Sequence, residues 1–406
     1  MKILLIAPYY DSRAVGESWS TFKWVEGISR HHEVTVLTMH PESWRPEESP
    51  LPSAEIVNWT SPKIPKRLAA LDRGVKLTYI AFYRNARRWI KDHLKKGGRF
   101  DLIHQISPLG LRYPSPAAGL GIPFVIGPLA GSLPTPEGFR KEMHREPWYV
   151  KLRNLDAFRL RRDPWLRKTY REAAAVIGVA PYVKELMRGI PLKRFEIMGE
   201  TGMDQTGGGA SEAPREDGPL KLVFVGRIIR TKGIIDGIRA FAIAARTCGI
   251  ELDVAGEGDL LGACKEEAAR LGVEKSIRFH GRVTREEVFK LYRNADVFLF
   301  PSYREPSGNV VFEALSFGLP VITSTCGGPG HVITDECGIR IEPRSPDAYA
   351  RDLAGAIENL ATHREQLHAM SQAARRRLQE VGLWQTKIER LMELYEEVAL
   401  PHSARA

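Results

Sequence analysis

Two glutamates eight positions apart, Glu305 and Glu313, frame the stretch of this chain best suited to chemistry. Glu305 falls in a polar loop after the apolar run Val297–Phe300, and Glu313 falls about one turn into the next apolar segment. Between them Ser307, Gly308, Asn309 and Val310 open that segment as a helix. The first N–H groups of a helix lack partners and carry the positive end of its dipole, so this entry suits a phosphate. Glu313 lies among Val311, Phe312, Ala314 and Leu315, where a carboxylate needs a partner. Earlier in the chain, Gly226-Arg227 and Lys232-Gly233 set two cations at the start of the helix Ile234–Arg246. Fixed cations there oppose the dipole unless an anion sits between them. A guanidinium fork and an ammonium point charge are complementary ways to neutralise a diphosphate.

Such residues need strand–loop–helix–strand units, which put ligands at the carboxyl edge of a parallel sheet. Leu222–Val225, Glu251–Ala255, Ser276–His280, Val297–Phe300 and Val321–Thr323 read as strands of one such domain. In the first half, Ile3–Ala7, Glu33–Thr38, Phe100–His104, Pro123–Gly127, Ala174–Ile177 and Phe195–Met198 read likewise, with a short strand at Glu55–Trp59. Helical periods mark Trp19–Ser29, Lys66–Asp72, Val75–Lys96 and Pro181–Arg188. Gly16 turns the first loop without a G-x-G-x-x-G run, and His104 closes a strand at the carboxyl edge. Gly327-Gly328-Pro329-Gly330 reads as a tight loop, and the chain from Asp347 onward as helix, the last one at Leu383–Val398. Gly202–Lys221, rich in Gly, Pro and acids with no apolar period, reads as a linker.

At 406 residues the chain is too long for one core and suits two α/β domains. With 43% hydrophobic and 27% charged residues it reads as globular, and no apolar run approaches the ~20 residues of a membrane span. The apolar start, Lys2–Ile6, is too short for a signal peptide and reads as a buried strand. Cys248, Cys264, Cys326 and Cys337 show no metal spacing and no C-x-x-C pair, which fits a reduced cytoplasmic protein. The net charge of +10 comes entirely from residues 1–200. Within Lys63–Arg99 basic residues outnumber acids twelve to two, and Glu137–Arg171 mixes arginines with Phe139, Trp148, Tyr149, Phe158 and Trp165. Both stretches point to an anionic partner, with a membrane surface as the expectation and a peripheral seat on its inner face. No nucleic-acid motif accompanies them, and none is expected as partner.

The stretch around the two glutamates resembles the E-x7-E signature of retaining glycosyltransferases of the GT-B fold, family 4. The likeness includes Pro306-Ser307-Gly308 after the first Glu and Glu313-Ala314 before Gly318-Leu319-Pro320-Val321. It implies an α/β architecture of two Rossmann-like domains whose parallel sheets face across a cleft. The domains would be 1–201 for the acceptor, a linker over 202–219, 220–382 for the nucleotide sugar, and 383–406 as a helix returning to the first. Gly226-Arg227 and Lys232-Gly233 resemble the family's Gly-Arg and Lys-Gly, whose cations clamp the donor diphosphate. Gly16 resembles a first-loop glycine near that diphosphate, though the usual second glycine is missing. Asp101-Leu102-Ile103-His104 resembles an Asp-x-x-His whose histidine sits beside the sugar, though the frequent second histidine is Ile106. Arg282 and Val283 stand where the family's backbone meets the base, and the glycines near Gly327 where it approaches the sugar.

The resemblance thus implies transfer of a sugar from a nucleotide diphosphate sugar, UDP-linked by preference and GDP-linked as the second choice, to a glycan or lipid-linked acceptor. Glu305 would orient the sugar and Glu313 would accept from the ribose hydroxyls. No carboxylate is well placed as a nucleophile, so attack on the leaving group's own face is the expected route to retention. No Asp-x-Asp occurs, and neither a metal nor another cofactor is expected. Two other readings stand beside it. A sugar-nucleotide epimerase of the same fold would release nucleotide without an acceptor, and a non-catalytic binding protein would not require all four of Arg227, Lys232, Glu305 and Glu313.

Overall fold

Each half of the chain begins with an apolar run that becomes a strand in the middle of a parallel sheet. The structure is a computed structural model and describes residues 1–45, 51, 53–65, 72, 77–143, 155–204 and 218–403. The helix expected at Lys66–Asp72 lies outside these residues except for Asp72, as do Trp148, Tyr149 and residues 205–217 of the linker.

The chain divides into two units. The first comprises Met1–Ser132, Glu146–Glu200 and Trp384–Ala406. Its strands are β1 (Lys2–Ile6), β2 (Glu33–His40), β3 (Ala54–Thr60), β4 (Leu102–Gln105), β5 (Phe124–Leu129), β6 (Ala175–Gly178) and β7 (Phe195–Ile197). They pair in the order β3-β2-β1-β4-β5-β6-β7, every pair parallel. Alternation divides β1 between two buried clusters: Leu4 and Ile6 face one, Ile3 and Leu5 the other. The final helix, Trp384–Ser403, packs on the helix Glu17–Ser29 in this unit. Trp384 meets Trp24 edge-on at 5.2 Å, and Gly27 lets Ile388 in so close that a Cβ there would stand 2.4 Å from Ile388 Cδ1.

The second unit comprises Leu133–Arg145 and Thr201–Leu383. Its strands are β8 (Leu220–Val225), β9 (Ile250–Ala255), β10 (Ile277–Gly281), β11 (Val297–Phe300), β12 (Val321–Ser324) and β13 (Gly338–Ile341), in the parallel order β10-β9-β8-β11-β12-β13. The order reverses between β8 and β11, and doubly wound sheets bind ligands at such a point, beyond the carboxyl ends of the strands.

Local departures from expectation have physical causes. Gly327–Val332 forms a short helix rather than a loop, because Pro329 takes an early helical position where its missing N–H costs nothing. The C-terminal region is three helices, Pro346–Thr362, Arg364–Val381 and Trp384–Ser403. Met203, expected within the linker, already bonds its N–H to Gly382 O at 2.8 Å inside the second unit. Leu133–Arg145 groups with the second unit because Phe139 is buried in that unit's core, 4.3 Å from the Tyr303 ring.

Candidate active site

The carboxyl edge of the second sheet is assembled by backbone contacts that only glycine permits. A Cβ on Gly233 would stand 1.9 Å from Pro301 O, one on Gly256 1.9 Å from Gly226 O, and one on Gly327 2.0 Å from Glu305 O. The loops after β8, β9, β11 and β12 therefore interlock. Ser302 Oγ donates to Thr231 O at 3.1 Å, and Gly328 N–H donates to Glu305 O at 3.0 Å.

Within this edge Lys232 Nζ donates to Glu305 Oε2 as an ion pair, both side chains mostly buried. The ammonium also lies 5.5 Å from the Phe300 ring centroid. Burial, then the charge of Arg227, pushes the Lys232 ammonium down to about 8. Arg227 itself is exposed. Arg230, which sequence reasoning did not single out, is committed elsewhere. It donates to Asp236 at 2.6 and 3.1 Å, pairs with Glu142, and lies over the rings of Phe139 and Tyr303. Three cations within six residues thus have three fates.

The helix Asn309–Ser316 begins from Gly308, whose φ of +80° a side chain would strain. Val311 N–H already donates to Gly308 O at 2.9 Å. Asn309 Oδ1 accepts from Thr201 Oγ1 at 2.7 Å, which anchors the helix entry. Ser307 is buried, and its hydroxyl has no hydrogen-bond partner among the described residues. An unpaired buried hydroxyl beside a helix entry is available to a ligand oxygen. Glu313, one turn on, is mostly buried; burial raises its carboxyl above the ordinary range, while Arg285 and the Tyr292 hydroxyl pull it down. Sequence reasoning missed Tyr292 and Arg285, since nothing in the helix Arg285–Asn294 marks either as a neighbour of Glu313. Arg282 and Val283 follow β10 at the same edge, Arg282 exposed and Val283 half-buried.

Two expected site residues belong to the first unit. Gly16 caps the helix Glu17–Ser29 at φ +68°, with open space around the position a Cβ would take. The second is His104. Its ring is wholly buried on β4, with Nε2 2.7 Å from Gly127 O and Nδ1 2.5 Å from Tyr395 Oη. Both nitrogens are therefore in use, and burial lowers the imidazole to about 4. It stays neutral at physiological pH, bonded to Tyr395 and to the backbone of β5.

Solved structures share this doubly wound, two-sheet fold. Sucrose-phosphate synthase from Thermosynechococcus elongatus matches at TM-score 0.64 with 19% identity, covering 98% of both chains. The lipopolysaccharide outer core galactosyltransferase WaaB matches at 0.65 with 15% identity, over 99% of this chain and 100% of its own. The fold is therefore GT-B. Family models for the glycosyl transferase 4-like domain and for glycosyl transferases group 1 match residues 16–197 and 210–377. The chain belongs to the group 1 family of glycosyl transferases. Glycogen synthase of Mycobacterium tuberculosis is 34% identical over 188 residues, 46% of this chain and 44% of its own length. The D-inositol 3-phosphate glycosyltransferase of Streptomyces griseus is 29% identical over 255 residues, 58% and 51% of the two chains. The matches thus span about half the length of these curated relatives.

Proposed function

We propose that this chain transfers a sugar from a nucleotide diphosphate sugar to a glycan or lipid-linked acceptor, with retention at the anomeric carbon, in the synthesis of a cell-surface polysaccharide or glycolipid. A UDP-sugar is the favoured donor and a GDP-sugar the second. The observation that carries this reading is the meeting of Lys232 and Glu305 beside exposed Arg227, at the switch point of the second sheet. A solved Anabaena protein of the same fold, HepE, is described with UDP and glucose.

In this reading Arg227, Lys232, the Ser307 hydroxyl and the N–H groups at Gly308-Asn309 hold the diphosphate. Glu305 accepts from the sugar's hydroxyls and Glu313 from the ribose. Arg282 and Val283 flank the base. The acceptor hydroxyl attacks the anomeric carbon, the bond from that carbon to the diphosphate oxygen breaks, and the acceptor's proton passes to the departing phosphate. Charge grows on the diphosphate as the bond breaks, so donors already aimed there lower the barrier more than groups that must reorganise. Melting the full chain with UDP, GDP and ADP, then analysing donor reactions by mass spectrometry, tests this. UDP should raise Tm and a UDP-sugar should give a glycosylated product; if no nucleoside diphosphate shifts Tm, the reading fails.

A further inference from the structure

We propose that the first unit docks on an anionic phospholipid surface through the helices Thr78–Lys95, Leu155–Arg162 and Pro164–Glu172. This does not rest on the transferase reading. In Thr78–Lys95 the buried residues Tyr79, Phe82, Ala86 and Ile90 face the core. The opposite side exposes Ile80, Arg84, Arg88, Lys91 and Lys95, which recur at helical spacing along one stripe. Among the described residues none of these four cations has an ion-pair partner, and Asp92 is the helix's only acid. Some exposed cations of the second unit rest on acids, as Arg278, Arg340 and Arg344 do.

The other two helices add what a purely ionic surface lacks. Phe158 and Trp165 are 59% and 67% exposed, and with Ile80 at 55% they account for all the large apolar side chains more than half exposed, Val15 apart, among the described residues. Arg161, Arg162 and Lys168 are exposed beside them. The loop at 114–119 ties the helices Thr78–Lys95 and Pro164–Glu172 to each other. Tyr79 Oη donates to Pro114 O at 2.8 Å, Arg87 Nη1 to Pro116 O at 2.9 Å and Ala118 O at 2.7 Å, and Ser115 N to Thr169 Oγ1 at 3.0 Å. A Cβ on Gly119 would lie 3.2 Å from Lys168 Nζ and 3.8 Å from Arg87 Nη2. Exposed cations together with bare Trp, Phe and Ile side chains on these helices match a headgroup layer above an apolar phase. A second copy would set like charges together, and a nucleic acid offers no apolar phase for Ile80.

Flotation of the full chain with vesicles tests the proposal, comparing phosphatidylcholine alone with a phosphatidylcholine–phosphatidylglycerol mixture. Binding should require phosphatidylglycerol and weaken as salt rises. Replacing Arg84, Arg88 and Lys91 by Gln should weaken it about a hundredfold, at about fivefold per cation. Phe158→Ser with Trp165→Ser should weaken it about tenfold or more, and Trp165→Ser should remove fluorescence quenching by brominated acyl chains. All five positions are surface side chains. Equal binding to both vesicles, no binding to either, undiminished binding by both variants, or preference for an RNA oligonucleotide would overturn the proposal.

Discussion

Lys232 and Glu305 come from loops after different strands, β8 and β11, and pair where the second sheet reverses its order. A mostly buried pair is stable only while both partners remain, because either charge left alone keeps its desolvation cost. In the proposed reaction the two divide their work, the ammonium turning to the diphosphate and the carboxylate to the sugar. Glu305→Ala should lower kcat by about 10²–10³ while nucleotide Kd changes little. Lys232→Ala should raise nucleotide Kd by about tenfold or more. The double variant should fall short of the product of the two effects, measured by initial rates and calorimetry.

The Lys232 ammonium, held down to about 8, predicts a pH dependence. A diphosphate binds the protonated form, so affinity is full below about pH 8. Above it the free protein must take up a proton to bind, and affinity falls by up to about tenfold per pH unit. Calorimetric titration of UDP from pH 6 to 10 should show that break, and Lys232→Arg should remove it.

Glu313 is set by burial and by Tyr292 and Arg285, and its proposed partner is the ribose. Glu313→Gln should weaken UDP binding by about tenfold, and Tyr292→Phe by less. With the 2′,3′-dideoxy nucleotide as ligand, both variants should match the wild type. A loss that persists with the dideoxy ligand would move Glu313 off the ribose.

Gly327 combines φ +66° with the 2.0 Å clearance to Glu305 O. Gly327→Ala should therefore lower Tm and depress transfer, because the Glu305 backbone has to give way. Gly262→Ala, where nothing stands within 4 Å of the new methyl, should leave Tm unchanged or raise it slightly.

Tyr395→Phe leaves His104 Nδ1 buried without its partner and should cost the first unit about 1–3 kcal/mol in denaturant unfolding. UDP binding should be unaffected. Because the folded imidazole sits near 4, the unfolded chain takes up this proton first as pH falls. The contribution is full above pH 6.5 and lost between there and pH 4, and His104→Gln should blunt that loss.

The strands of both sheets are legible in the sequence because a strand buried on both faces is a short run of aliphatic and aromatic residues, as in KILLI, LKLVFV and VFLF. The spacing of Glu305 and Glu313 about Gly308 is legible for a related reason, since loop, positive φ and helix entry are local matters. Tertiary structure alone decides which of Arg227, Arg230 and Lys232 remains exposed. The three look alike in one loop, and their fates depend on Glu142, Asp236, Tyr303 and Glu305, all distant in sequence except Asp236. His104 illustrates the same limit. The sequence puts it at the end of a strand, but only packing against Gly127 and Tyr395 turns its ring away from solvent. Backbone conformation follows from neighbours a few residues away, whereas the availability of a charged or ionisable side chain follows from whatever the fold brings beside it.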